Sequence, residues 1–203
     1  MRSTIFTILV VLAVSVLVVG ACQGKEKSGK SEKDVEAPQF TLKNYDGEEV
    51  SLSDYAGKIV VLEWFNYECP FVVYHYEKPK TMAGLAAKYK DKDVVWLTVN
   101  STKHLKTEKN KDFVEKHKLT YPILDDRSGK VGRAYSARTT PHMFIIDAKG
   151  KIVYDGGIDN SPMGSKKEKT TNYVDKALAE LTAGKAVSTP KTKPYGCSVK
   201  YAR

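Results

Sequence analysis

Apolar residues fall in blocks whose length and period change along the chain. Ile59 to Phe65 is almost continuously apolar, Glu63 excepted, as expected of a central strand buried on both faces. Val94 to Val99 is a second such run. Met143 to Asp147, the Ala148-Lys149-Gly150 turn and Lys151 to Tyr154 read as a hairpin. Val174, Ala177, Leu178 and Leu181 recur at i, i+3, i+4 and i+7, which predicts a final amphipathic helix. Between these blocks, Pro70 to Tyr89 is helix-compatible with a kink or break at Pro79, and Thr107 to Lys118 is a polar helix. Tyr121 to Leu124 is extended, Gly129 to Ala137 a short helix, and Asp159 to Thr170 a polar segment expected to be mobile. Ahead of them all, Phe40-Thr41-Leu42, Asp46-Gly47 and Glu49-Val50-Ser51 form a small hairpin, followed by a short turn or helical piece over Ser53 to Gly57. Strands alternating with helices, closed by a hairpin, indicate an α/β fold with a mixed central sheet.

The N-terminus follows a different rule. Met1-Arg2 is a positive start, Ile5 to Val19 an apolar run too short for a bilayer span, and Val19-Gly20-Ala21 a small-residue approach to Cys22. A cysteine after Val-Gly-Ala resembles the lipobox of bacterial lipoproteins. The resemblance implies a signal peptide over 1–21, cleavage before Cys22 and lipid on that residue. The protein would then be extracytoplasmic, held at the cell membrane or the periplasmic side of an outer membrane. Residues 22–36 are mostly Lys, Glu, Ser and Gly and read as a disordered tether; 37–203 form one domain. The net charge of +9 does not imply nucleic acid, because no basic stretch is interleaved with stacking aromatics.

Export changes the cysteine arithmetic. With Cys22 lipidated, Cys69 and Cys197 remain as an even pair in an oxidising compartment. Cys69 lies between a strand and a helix, with Pro70 suited to the first helical position. Outward-pointing N–H groups and a positive dipole end favour the thiolate there, which is the nucleophilic form. The sequence therefore predicts an ionised, solvent-reachable sulfur.

Ala37-Pro38-Gln39-Phe40-Thr41-Leu42, Gly47, Ser51 to Lys58 and Val60-Val61-Leu62 resemble the opening of the redoxin group, which includes the alkyl hydroperoxide reductase/thiol-specific antioxidant proteins and thioredoxin-like lipoproteins. Thr140-Pro141-His142-Met143-Phe144-Ile145-Ile146-Asp147 resembles the cis-proline strand of thioredoxin folds. Pro194-Tyr195-Gly196-Cys197-Ser198-Val199-Lys200-Tyr201 is similar to the terminus of a peroxiredoxin-like branch. The resemblance implies a thioredoxin-like sheet with an N-terminal hairpin extension. It also implies that Cys69 is the nucleophile and that Pro70, Thr140 and Pro141 shape the substrate site. Thioredoxins resemble this chain in carrying a buried acid six positions before the first active cysteine, here Glu63. By that similarity Glu63 has a raised pKa and moves protons. Cys197, in a tail without clear periodicity, would resolve an intermediate on Cys69; a permanent disulfide staple is the alternative. His142, a lone histidine, receives no role.

Two departures bear on the reaction. Peroxiredoxins carry Pro-x-x-x-Thr/Ser-x-x-Cys, where this chain has Leu62 and Asn66. The second cysteine of a thioredoxin Cys-x-x-Cys is replaced by Val72. Arg127, Arg133 and Arg138 are candidates to approach the sulfur. The first expectation is a thiol–disulfide oxidoreductase, with a disulfide-bearing protein as substrate and a thioredoxin-type electron donor. The rival is a thiol peroxidase acting through a Cys69 sulfenic acid. A non-catalytic or copper-binding module is a third reading, weakened by Val73 where copper delivery needs a second thiol. No organic cofactor is implied, since no Gly-rich phosphate loop occurs.

Overall fold

The computed structural model describes residues 35–166 and 169–202. The signal peptide, Cys22 and nearly all of the tether lie outside the described residues. Val35 and Glu36, expected in the tether, instead form strand β1. Both are exposed, so backbone pairing holds them rather than apolar burial, which is why hydropathy gave no sign of it.

The strands that follow are β2 (Thr41–Asn44), β3 (Glu49–Ser51), β4 (Ile59–Trp64), β5 (Val94–Asn100), β6 (Ile123–Asp125), β7 (Thr139–Thr140), β8 (His142–Ile146), β9 (Lys151–Gly156) and β10 (Cys197–Ser198). The helices are α1 (Pro70–Glu77), α2 (Thr81–Tyr89), α3 (Thr107–His117), α4 (Lys130–Ala134) and α5 (Tyr173–Thr182). Eight strands make one mixed sheet in the order β1-β9-β8-β4-β5-β6-β2-β3. β4, β5 and β6 run parallel through helical crossovers, while β8 lies antiparallel against β4. The expected N-terminal hairpin is part of this sheet, because β2 pairs antiparallel with β6. Its turn closes on the Asn44 carboxamide, whose Oδ1 accepts from the N–H groups of Asp46 and Glu48 at 2.9 and 3.0 Å.

Period-two alternation in β4 divides the core. Val61 and Phe65 face a layer built from α1, α2, α3 and α5; Val60, Leu62 and Trp64 face α4 and the segment around Phe40. The first layer also holds Cys69, Tyr76 and Trp96, so the candidate chemistry sits on one side of the sheet. The long helix-compatible stretch breaks at Pro79 as expected, with Lys80 in the left-handed region at φ 50° before α2 starts. Within the polar segment 159–170, Pro162–Gly164 forms a short 3-10 turn. The tail departs most from its sequence reading, since β10 pairs antiparallel with β7.

Candidate functional site

Cys69 ends the loop after β4 and is the residue that caps α1, with Pro70 in the first turn. Asn66 shapes the approach: its side-chain oxygen accepts the Glu68 N–H at 2.8 Å and its carbonyl the Cys69 N–H at 3.0 Å. The Cys69 carbonyl in turn accepts the Val73 N–H at 2.9 Å, the first bond of the helix. This is the placement that the sequence predicts. The solvent access is not, because Cys69 is only 1% exposed. Its thiol donates to the Thr140 carbonyl at 2.9 Å. The Thr140–Pro141 peptide bond is cis, as the family resemblance implies, and Thr140 is itself buried.

The tail packs against the cluster that holds Cys69. Cys197 is registered opposite Thr140 in the β10–β7 pair, with Ser198 opposite Thr139. That sets Cys197 opposite the residue whose carbonyl accepts the Cys69 thiol, although the two cysteines are distant in sequence. Both are free thiols here. Partial burial, then the neighbouring Cys69 sulfur, push the Cys197 thiol up to about 11. It therefore holds its proton until a base or a newly formed mixed disulfide changes its surroundings.

Glu63 lies mid-strand in β4, paired across to Thr98 on β5 and Met143 on β8. It is fully buried. Its Oε2 accepts from the Tyr76 hydroxyl at 2.8 Å and the Trp96 indole N–H at 3.1 Å, and Tyr76 contacts Tyr121 at 3.2 Å. Its Oε1, like the neighbouring Thr98 hydroxyl, has no partner among the described residues. Burial raises the carboxyl to about 7, and the Tyr76 and Trp96 hydrogen bonds only partly offset that. A carboxyl so placed changes charge near neutrality.

Sequence reasoning missed the groups that hold the tail. His75 on α1 contacts the Tyr195 hydroxyl at 2.8 Å, and that hydroxyl donates to Asp159 Oδ1 at 2.6 Å. With the Tyr195 proton committed to Asp159, His75 Nε2–H is the donor, leaving Nδ1 to accept from the Thr81 hydroxyl at 3.2 Å. Burial holds His75 below the ordinary histidine value, against the pull of Asp159. Gly196 marks a close approach. At φ +126° a Cβ there would sit 2.1 Å from the Thr140 carbonyl oxygen. The Tyr-Gly pair before Cys197 was the available signal, but no periodicity said what it packs against.

His142 has a structural place. Its Nδ1 accepts the Arg138 N–H at 3.2 Å, so Nε2–H donates to Asp155 at 2.7 Å. Burial works to raise the Asp155 carboxyl, yet this bond and the nearby Lys191 charge hold it below its ordinary value. Two of the three candidate arginines are committed elsewhere: Arg127 pairs with Asp125, and Arg133 bonds the Ser128 and Ala202 carbonyls and stacks on Tyr201. Arg138 contributes its backbone, its carbonyl accepting the Val199 N–H at 3.0 Å. Among the described residues, no three His, Cys, Asp or Glu side chains converge in a metal-binding arrangement.

The family model described as AhpC/TSA matches residues 34–155. The thiol-disulfide oxidoreductase ResA of Bacillus thuringiensis subsp. konkukian is 28% identical over 156 residues, 77% of this chain and 82% of that protein. The thioredoxin-like protein YneN of Bacillus subtilis is 37% identical over 118 residues, 58% of this chain and 66% of its own length. Among solved structures, a hypothetical protein of Sinorhizobium meliloti 1021 superposes with a TM-score of 0.76 at 26% identity, covering 83% of this chain and 94% of its own.

Proposed function

Because the chain belongs to the AhpC/TSA family, we propose that it exchanges disulfides, with Cys69 as nucleophile and Cys197 as resolving thiol. It is a thiol-dependent oxidoreductase, and the similarity to ResA favours a protein disulfide as its substrate. In the first step the Cys69 sulfur attacks one sulfur of a substrate disulfide. A Cys69 mixed disulfide forms, the substrate S–S bond breaks, and the departing thiolate takes a proton. Cys197 then gives up its proton and attacks Cys69, which releases the second substrate thiol and leaves a Cys69–Cys197 disulfide. A thioredoxin-type donor reduces that bond and closes the cycle. Glu63, whose carboxyl changes charge near pH 7, is suited to pass the proton these steps exchange. Pro70, Thr140 and Pro141 border the reacting sulfur.

The observation that carries this reading is a free Cys197 paired in register with Thr140, whose carbonyl accepts the free thiol of Cys69. Position 66 favours disulfide over peroxide. Asn66 presents an amide engaged with the Glu68 N–H, where peroxidases of this family carry a hydroxyl. Export by residues 1–21 and lipid on Cys22 belong to the same proposal and rest on the sequence alone. The test is turnover of insulin disulfides by the reduced protein, beside its Cys69→Ser and Cys197→Ser variants. We expect Cys69→Ser to abolish exchange and Cys197→Ser to accumulate a mixed disulfide on Cys69. Undiminished exchange by Cys69→Ser refutes the assignment, and rapid peroxide consumption without disulfide exchange replaces it with the peroxidase.

A further inference from the structure

β10 occupies the edge of β7 in the way an incoming polypeptide would. Cys197 and Ser198 pair with Thr140 and Thr139, and the Val199 N–H extends the ladder to the Arg138 carbonyl at 3.0 Å. A cysteine in this register meets Cys69, because Thr140 is both its pairing partner and the acceptor of the Cys69 thiol. The segment is held at two ends. On one side Tyr195 bonds His75 and Asp159, and its ring lies 6.0 Å from that of Phe71. On the other, the Tyr201 hydroxyl donates to the Ala137 carbonyl at 2.7 Å and the Lys200 carbonyl accepts the Lys103 N–H at 2.8 Å. Between the anchors the strand is only two residues long. The occupant is thus firmly tethered but weakly paired, the arrangement expected of something that leaves and returns.

We infer that residues 195–199 are an autoinhibitory strap, occupying the Thr139–Thr140 edge until an extended, disulfide-bearing polypeptide displaces it and exposes Cys69. The inference rests on Cys69 being the nucleophile. It adds that the site is closed at rest by the chain's own tail, which must leave the edge before a substrate strand can take its place. Backbone hydrogen bonds, which any extended chain supplies, provide its affinity. Displacement also separates the two cysteines while the substrate docks, so Cys197 resolves only after the strap returns. A compact protein whose disulfide cannot reach this edge is then a poor substrate.

The strap can be loosened without touching either cysteine. Gly196→Ala places a methyl group 2.1 Å from the Thr140 carbonyl oxygen, incompatible with the docked backbone. Tyr195→Phe removes the hydroxyl shared by His75 and Asp159. Two rates are measured on the reduced full chain. One is alkylation of Cys69 by iodoacetamide, located by peptide mapping; the other is mixed-disulfide formation with an unstructured peptide whose single cysteine carries a 2-thiopyridyl group. We expect both rates to rise at least tenfold in Gly196→Ala and severalfold in Tyr195→Phe. Folded variants that match the wild-type rates, with Cys69 still reacting with the peptide, overturn the strap and leave the oxidoreductase intact. A Cys69 inert in all three proteins overturns both. If Gly196→Ala does not fold, Tyr195→Phe decides alone, and a rise below twofold overturns the inference.

Discussion

Glu63→Gln is the sharpest test of how the buried site is built. The carboxyl is fully buried and stands at about 7, against an ordinary glutamate value of 4.5. Because its folded value is the higher one, the native state binds the proton more tightly than the unfolded chain. The associated stability is complete below pH 4.5 and is lost as pH rises through 7. Worked through linkage, the stability lost relative to low pH is about 1 kcal/mol at pH 5 and about 3 kcal/mol at pH 8.5. Glutamine keeps the shape, and its oxygen accepts from Tyr76 and Trp96 as Oε2 does. Its amide nitrogen takes the place of the unpartnered Oε1 and stays uncharged at every pH. Urea unfolding of the reduced wild type and variant, compared from pH 5 to 8.5, isolates this group because the other titrating residues are common to both. The wild type should lose about 2 to 3 kcal/mol relative to Glu63→Gln across that range. The inflection near pH 7 in the exchange rate should vanish in the variant. Parallel stability curves would show that Glu63 does not titrate there and would remove it from proton transfer.

Two further predictions concern the frame around the site. Leu62 is fully buried among Trp64, Leu97 and Phe144, so Leu62→Ala should cost about 3 kcal/mol in urea unfolding; a loss under 1 kcal/mol would mean the layer collapses to fill the space. The buried Asp126 carboxylate accepts the Ser101 hydroxyl at 2.7 Å and the Gly132 N–H at 2.8 Å, tying the end of β5 to α4. Asp126→Ala leaves those donors unsatisfied and should destabilise by about 2 to 4 kcal/mol, read as a lower unfolding midpoint. An unchanged midpoint would mean other acceptors serve them.

Much of the frame was legible because its causes are local. The continuous apolar runs at Ile59–Phe65 and Val94–Val99 become the parallel centre of the sheet, and the Asp147–Gly150 turn closes the β8–β9 hairpin. Pro79 splits one helical stretch into two because a residue without an N–H cannot continue the ladder. The 174/177/178 stripe lands in the core for the same periodic reason. At the candidate site, Cys69 ahead of Pro70 was readable from residue types, and Glu63 stood out as an acid in a run with no other reason to be polar.

The order of elements, the cysteine at a helix start and the acid inside an apolar run can be read from residue types, since each depends on neighbours within a few residues. Long-range packing alone makes the tail a strand, holds Tyr195 between His75 and Asp159, and pairs Cys197 with the residue that accepts the Cys69 thiol. Those contacts join segments far apart in the chain through backbone pairing and single hydrogen bonds, which leave no period in the sequence. Cys69 is buried among such long-range contacts, although its local surroundings read as open.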